Sequence, residues 1–68
     1  MINEKQINDV RDEAYHTAIE NGSRAAFNLV VDLYPEQAEN ILYQVSVKLE
    51  ATGHTKLSNG IDRLIKTL

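Results

Sequence analysis

Between Ser23 and Pro35, in the segment SRAAFNLVVDLYP, strongly polar side chains occur only at Arg24, Asn28 and Asp32. This four-residue recurrence places them on one narrow strip of an α-helix, whereas a half-buried strand would alternate polar and apolar side chains. At about 100° per residue, the apolar side chains cover an arc of about 240°. Surface helices usually show an apolar face of little more than about 100°. The pattern therefore predicts a central helix.

A first helix precedes the central one, and residues typical of helix termini mark both of its ends. Asn3 is a suitable N-cap, and Ile2 and Ile7 occupy the two positions of a hydrophobic staple. Gly22 follows the last residues of the helix, where glycine is common. Ser23 is then the predicted N-cap of the central helix.

Two more helices are predicted after the central one. Proline suits the first position of a helix, so the third helix begins at Pro35, and Gly53 marks its end. The last helix begins at Thr55 or at Ser58, a choice left open because Gly60 weakens the first turn. The four predicted helices lie at about 4–20, 24–34, 35–52 and 55–67.

These segments predict an all-α fold, with one domain over residues 1–68. It is a small bundle of three to four short helices around a nearly all-apolar central helix. A chain of this length buries only about 60% of its surface, and it has no cysteine to form disulfides. Three short neighbours cannot cover the wide apolar arc and also bury their own apolar faces. We therefore expect a homodimer or higher oligomer, with a self-sufficient monomer as the alternative.

Apolar side chains outside the predicted core are candidates for that interface. On the third helix, Tyr43, Val47 and Ala51 recur every fourth residue, opposite the core-facing side. The core-facing residues of this helix are predicted to be Ala38, Ile41, Leu42, Val45 and Leu49. The candidate interface residues, from the central and third helices, are Phe27, Val31, Tyr34, Tyr43, Val47 and Ala51.

Charge is unevenly distributed along the chain, which has a net charge of −3. Acidic residues predominate up to Val47, and basic residues predominate after it. Such polarity favours either head-to-tail self-association or an acidic surface that binds a basic partner. The candidate acidic partner-binding face consists of Asp9, Asp12, Glu13 and Glu20.

Few residues are candidates for catalysis or metal binding. Glu13-x-x-His16 has the spacing of a di-iron ligand motif, but it lies opposite the apolar stripe of its helix, which favours a solvated face. No catalytic arrangement of a serine with a histidine and an acid is indicated at Ser23, Ser46 or Ser58, and no glycine-rich loop is present to bind a phosphate. His54 is expected in a solvent-exposed turn. We predict no enzyme activity, no cofactor and no metal.

Nucleic-acid and membrane binding are also disfavoured. The last two helices, joined at Gly53, resemble a helix-turn-helix in order only. Lys48 and Thr52 would occupy positions where that motif needs buried apolar side chains, and an acidic chain is poorly suited to phosphate. No apolar run approaches the roughly 18 residues of a membrane span, and the N-terminus has no signal-peptide pattern.

The sequence therefore favours a small, non-catalytic, cytoplasmic interaction protein. It would be a homo-oligomeric regulator, adaptor or inhibitor, of the kind common in phages and bacteria, that binds another protein. The first alternative is a DNA-binding transcriptional regulator that uses the C-terminal helix. The second is a helical protein that binds metal through carboxylate and histidine side chains.

Overall fold

The structure is a computed structural model that describes residues 4–68, and every regular element in this part of the chain is an α-helix. The predicted all-α bundle of short helices is therefore confirmed. The predicted Asn3 cap and Ile2 staple lie outside the described residues. We number the helices α1 (Glu4–Asn21), α2 (Ser23–Leu33), α3 (Ala38–Ala51) and α4 (Thr55–Ile65).

A single glycine joins α1 to α2. Gly22 has a φ of 97°, a conformation that suits glycine, and its amide donates to the carbonyl oxygen of Ala18 at 2.9 Å. Gly22 also occupies the N-cap position of α2. The prediction that Ser23 caps α2 is therefore wrong. Its hydroxyl instead donates to the carbonyl oxygen of Leu57 on α4, at 2.9 Å, and so ties the two helices together.

The predicted start of the third helix at Pro35 is also wrong, because residues 35–37 form a turn. The amide of Gln37 donates to the carbonyl oxygen of Tyr34 at 3.1 Å, which places Pro35 at the second position of a β-turn. Proline is favoured there because its φ is already fixed. The helix then begins at Ala38, three residues later than predicted.

The connection from α3 to α4 is a tight helix-ending turn. Gly53 has a φ of 88°. Its amide donates to the carbonyl oxygen of Glu50, and the amide of His54 donates to the carbonyl oxygen of Leu49. These two hydrogen bonds are those of a Schellman motif, in which glycine adopts the left-handed conformation. The sequence placed Gly53 correctly at the end of α3. Of the two starts that the sequence left open for the last helix, the structure shows Thr55.

The centre of the core is formed mainly by α3, which packs against all three other helices. Every residue predicted to face the core from this helix is buried. Ser46, which was not predicted to be buried, is buried with them. The buried residues of α3 are Ala38, Ile41, Leu42, Val45, Ser46 and Leu49.

The second helix is less dominant than its sequence predicts. It packs against α1, α3 and α4, and its polar strip of Arg24, Asn28 and Asp32 is exposed as expected. Only Ala26 and Val30 are buried, while its remaining apolar side chains, apart from Leu33, are half-buried. One chain therefore covers most of the wide apolar arc, so α2 alone does not require a second copy to cover it.

A close approach between α2 and α4 occurs at Gly60. A Cβ atom at this position would lie 2.5 Å from the Ser23 Oγ atom and 2.9 Å from the Ser23 Cβ atom. Both distances are shorter than van der Waals contact, so the missing side chain allows the two helices to meet. The sequence predicted only that Gly60 weakens its helix; the structure gives it a packing role.

Candidate functional site

The outer face of α3 carries the most exposed large apolar side chain in the described part of the chain. Tyr43 is 62% exposed, and Val47, one helical turn further on, is 49% exposed. Ala51, another turn on, is also exposed. These three residues form one continuous row, because side chains four positions apart lie on the same side of a helix. We call Tyr43, Val47 and Ala51 the α3 strip.

The two sides of the α3 strip differ in chemistry. On the side towards α1, the Gln44 amide donates to the Asn40 Oδ1 atom at 3.3 Å, and the Gln44 Oε1 atom accepts from Arg11 at 3.4 Å. On the other side lie two carboxylates, Glu39 and Glu50, and both are exposed. One border of the strip is thus neutral and bonded to α1, and the other border is acidic.

The candidate interface residues of the central helix lie elsewhere. Phe27, Val31 and Tyr34 are half-buried and pack against the core. They offer less free apolar surface than Tyr43 and Val47. Whether they meet another chain stays a prediction.

The predicted acidic face of α1 divides into two parts. Asp9, Glu13 and Glu20 are exposed. Asp12 instead faces α3, where the Lys48 Nζ atom lies 3.0 Å from its Oδ1 atom. The hydrogen bond from Lys48, with the charges of Lys48 and Arg11, holds the pKa of Asp12 below its ordinary value of 3.8. Asp12 therefore joins two helices within the chain.

This ion pair makes the stability of the fold depend on pH, in a direction that follows from the pKa of Asp12. Because the pKa of Asp12 is lower in the folded state, its contribution to stability is present above pH 3.8 and is lost as the pH falls through the lowered value. We expect Asp12→Asn to be less stable than the wild type at pH 7 and to approach it in stronger acid. Urea unfolding at both pH values measures the difference. Lys48→Met should also be less stable at pH 7, but it removes the contact with the Tyr15 ring as well, so its difference from wild type should shrink less in acid. A constant difference between Asp12→Asn and wild type at both pH values would contradict the assignment.

Lys48 also takes part in a polar cluster that the sequence did not reveal. Its Nζ atom lies 4.6 Å from the centroid of the Tyr15 ring, within the range of a cation–π contact. The Tyr15 hydroxyl donates to the Thr52 Oγ1 atom at 3.0 Å, and Thr52 donates to the carbonyl oxygen of Lys48 at 2.9 Å. Lys48 and Thr52, which fit a helix-turn-helix poorly, therefore fasten α3 to α1.

The two histidines flank the same tyrosine. The ring centroid of His16 lies 5.4 Å from that of Tyr15, and that of His54 lies 6.3 Å away, both edge-on. His54 is half-buried, so the expectation of a solvent-exposed side chain is wrong. Glu13 and His16 are both exposed. Within residues 4–68, no three acidic or histidine side chains are grouped so that they could hold a metal ion.

A second cluster, between α3 and α4, contains two buried serines. The Ser46 hydroxyl donates to the Asp62 Oδ1 atom at 2.6 Å and lies 2.9 Å from the Ser58 Oγ atom. Because Ser46 has one hydroxyl hydrogen, Ser58 is the donor in the second bond. The burial of Ser46 could have been predicted from its position, because it follows Val45 on the core-facing side of α3. The contact is internal and fixes the two helices against each other.

Several types of site are absent from the described part of the chain. The surface formed by residues 4–68 contains no detectable pocket. None of its helices has both the length and the apolar character needed to cross a membrane. No family model matches the sequence, and no curated protein or solved structure was found to be similar to it.

Proposed function

We propose that this protein acts by binding another protein through the α3 strip and that it catalyses no reaction. The observation that carries the proposal is the exposure of Tyr43 beside Val47 on one face of one helix. Aromatic side chains are enriched at the centres of protein interfaces, where they bury a large area at little entropic cost. A tyrosine also keeps a hydroxyl that can bond at the edge of the contact.

The position of the strip within the fold supports the same proposal. The opposite face of α3 is almost completely buried, and hydrogen bonds from Lys48 and Ser46 fasten the helix to α1 and to α4. A surface held this rigidly loses little conformational freedom when a partner binds. The protein would then act as a regulator, adaptor or inhibitor of its partner. We place this activity in the cytoplasm, in keeping with a chain that has no cysteine.

Self-association is a separate part of the proposal, supported by the distribution of exposed charges. Asp9, Glu13 and Glu20 are exposed on α1, while basic side chains are exposed on α4. Contact between these faces of two copies would be head-to-tail, so it would form rings or open chains. Light scattering after gel filtration, at low and high salt, distinguishes such oligomers from a single chain of 7.7 kDa.

The exposed bases of α4 and of its C-cap residue, Lys66, also support DNA binding as a second candidate function. Lys56, Arg63 and Lys66 are all exposed, and none forms an ion pair with another residue in the range 4–68. Neutralisation of phosphates by such side chains gives an affinity that falls steeply with salt. A gel-shift titration of duplex DNA at low and high salt separates this candidate from protein binding.

The principal test places a carboxylate in the α3 strip. Val47→Glu should abolish capture of the partner from a lysate of the native host, because an unpaired carboxylate is costly in an apolar contact and nearly free in water. The fold should remain, because Val47 is half-exposed. Leu33→Glu is the matched control, since Leu33 is exposed to a similar extent, 51%, on a different helix. Capture that survives Val47→Glu, with the fold intact by circular dichroism, would overturn the proposal.

A further inference from the structure

The acidic border of the α3 strip consists of two carboxylates, Glu39 and Glu50. Glu39 lies one turn before Tyr43, and Glu50 lies three residues after Val47, so both flank the apolar row. Neither glutamate forms an ion pair with another residue between positions 4 and 68. The apolar row is therefore bordered by two carboxylates that remain available to a partner.

Two cations between α1 and α3 are already engaged. Lys48 binds Asp12 at 3.0 Å and lies over the Tyr15 ring, and Arg11 contacts Asp12 and Gln44. These contacts lie between α1 and α3, on the opposite border of the strip. Neither Lys48 nor Arg11 therefore pairs with the acidic border.

The location of Glu50 adds an independent observation. It lies in the last turn of α3, which ends at Ala51. The helix dipole places partial negative charge at this end, so a carboxylate there is electrostatically unfavourable. Glu39, in the first turn, is favourable for the same reason. Helix stability therefore explains Glu39 but not Glu50, whereas binding of a basic partner explains both.

We infer that the α3 strip binds an amphipathic helix of another protein whose apolar row is bordered by lysine or arginine. This inference rests on the proposed function and specifies the chemistry of the partner. Side chains spaced every fourth residue form the ridge that packs into the groove of a second helix. Basic side chains along the edge of that helix would meet Glu39 and Glu50, which would speed association and select against acidic competitors.

A second copy of the chain fits this surface less well. If two copies met through the same face, each would bring Glu39 and Glu50 towards the carboxylates of the other. Like charges at an interface disfavour the complex. The face complements a basic surface better than it complements itself.

The dimensions of the strip set the expected size and strength of the contact. Together with its acidic border, from Glu39 to Ala51, the strip spans about 18 Å at 1.5 Å per residue, which corresponds to a partner helix of about three turns. Stable complexes bury roughly 1,200 Å² or more, and from a contact limited to three turns of one helix we expect a transient complex. Binding should therefore be measured at micromolar concentrations of protein and peptide.

The test uses two designed helical peptides of about 18 residues. Both carry leucines at the i, i+3, i+4 and i+7 spacing of an apolar row, which is bordered by lysines in one peptide and by glutamates in the other. The lysine peptide should bind at least about tenfold more tightly at low salt. In the isotope-labelled protein, it should shift the NMR signals of Tyr43 and Val47 most strongly.

Reversal of the border charges tests the electrostatic part of the inference. Glu39→Lys combined with Glu50→Lys should invert the preference, so that the glutamate peptide binds more tightly. Asp9→Lys combined with Glu13→Lys is the matched control, because it makes the same charge change on exposed residues of α1. This control should retain the preference for the lysine peptide.

Three results would overturn the inference: equal affinity for both peptides, signal shifts centred on α1, or shifts of Tyr43 and Val47 that depend on protein concentration without peptide. The last result would identify a second copy as the occupant. Failure of the inference is distinct from failure of the proposed function. If Val47→Glu abolishes partner capture while reversal at Glu39 and Glu50 does not, protein binding stands and only the basic partner is wrong.

Discussion

Leu49→Ala should reduce the free energy of unfolding by about 2–5 kcal/mol, which is the usual range for removal of a buried leucine side chain. Leu49 is fully buried, in the helix that contributes most to the core. Total stability amounts to about 0.05–0.15 kcal/mol per residue in small domains. This substitution would therefore remove a large part of the stability of a 68-residue chain. Urea denaturation followed by circular dichroism measures the loss.

Leu29→Ala provides the matched comparison on α2. Leu29 is half-buried, so the same change should leave a smaller cavity and cost less than Leu49→Ala. The comparison distinguishes a core centred on α3 from the core centred on α2 that the sequence predicts. Equal losses, or a greater loss from Leu29→Ala, would favour the second arrangement.

Gly60→Ala should also destabilise the fold, although alanine normally stabilises a helix relative to glycine. The added Cβ atom would lie 2.5 Å from the Ser23 Oγ atom, so α2 and α4 would have to move apart. Overpacking of this kind usually costs about 1–3 kcal/mol. The movement would also disturb the hydrogen bond from Ser23 to Leu57.

Removal of the opposing side chain should reverse the sign of this effect. In a Ser23→Gly background, the clashing Oγ and Cβ atoms are absent, and Gly60→Ala should stabilise the protein by up to about 1 kcal/mol through helix propensity. A double-mutant cycle of unfolding free energies measures the coupling between the two positions. If the two substitutions are additive, the proposed contact between Ser23 and position 60 is wrong.

Features that depend on local spacing were predictable from the sequence. The buried face of α3 follows from apolar residues three and four positions apart, and the exposed strip of α2 follows from Arg24, Asn28 and Asp32. Gly53 marks the end of α3 because a left-handed residue is needed in that turn. The exposure of Tyr43 and Val47 was likewise predictable, because they lie opposite that buried face.

Features that depend on tertiary neighbours were not predictable. The width of the apolar arc on α2 gives the surface available for burial, but it does not tell how much of that surface the other helices cover. Asp12 and Lys48 are 36 positions apart, and no local pattern indicates that they pair. Ser46 and Asp62 likewise meet only because α3 and α4 pack side by side. The long-range polar pairs, and the extent to which the apolar arc of α2 is buried, could therefore be identified only from the structure.

The tight connection at Gly53 has a consequence for the order in which the chain assembles. Because the turn between α3 and α4 is short, closing it loses little chain entropy, and the contacts that it brings together are close in sequence. We expect the α3–α4 hairpin to form early in folding, as should the α1–α2 pair, which a single glycine joins; the two pairs would dock afterwards across longer separations in sequence. Tyr43 and Val47 face outward from this hairpin, so the surface proposed to bind a partner would already be formed while the rest of the chain is still folding.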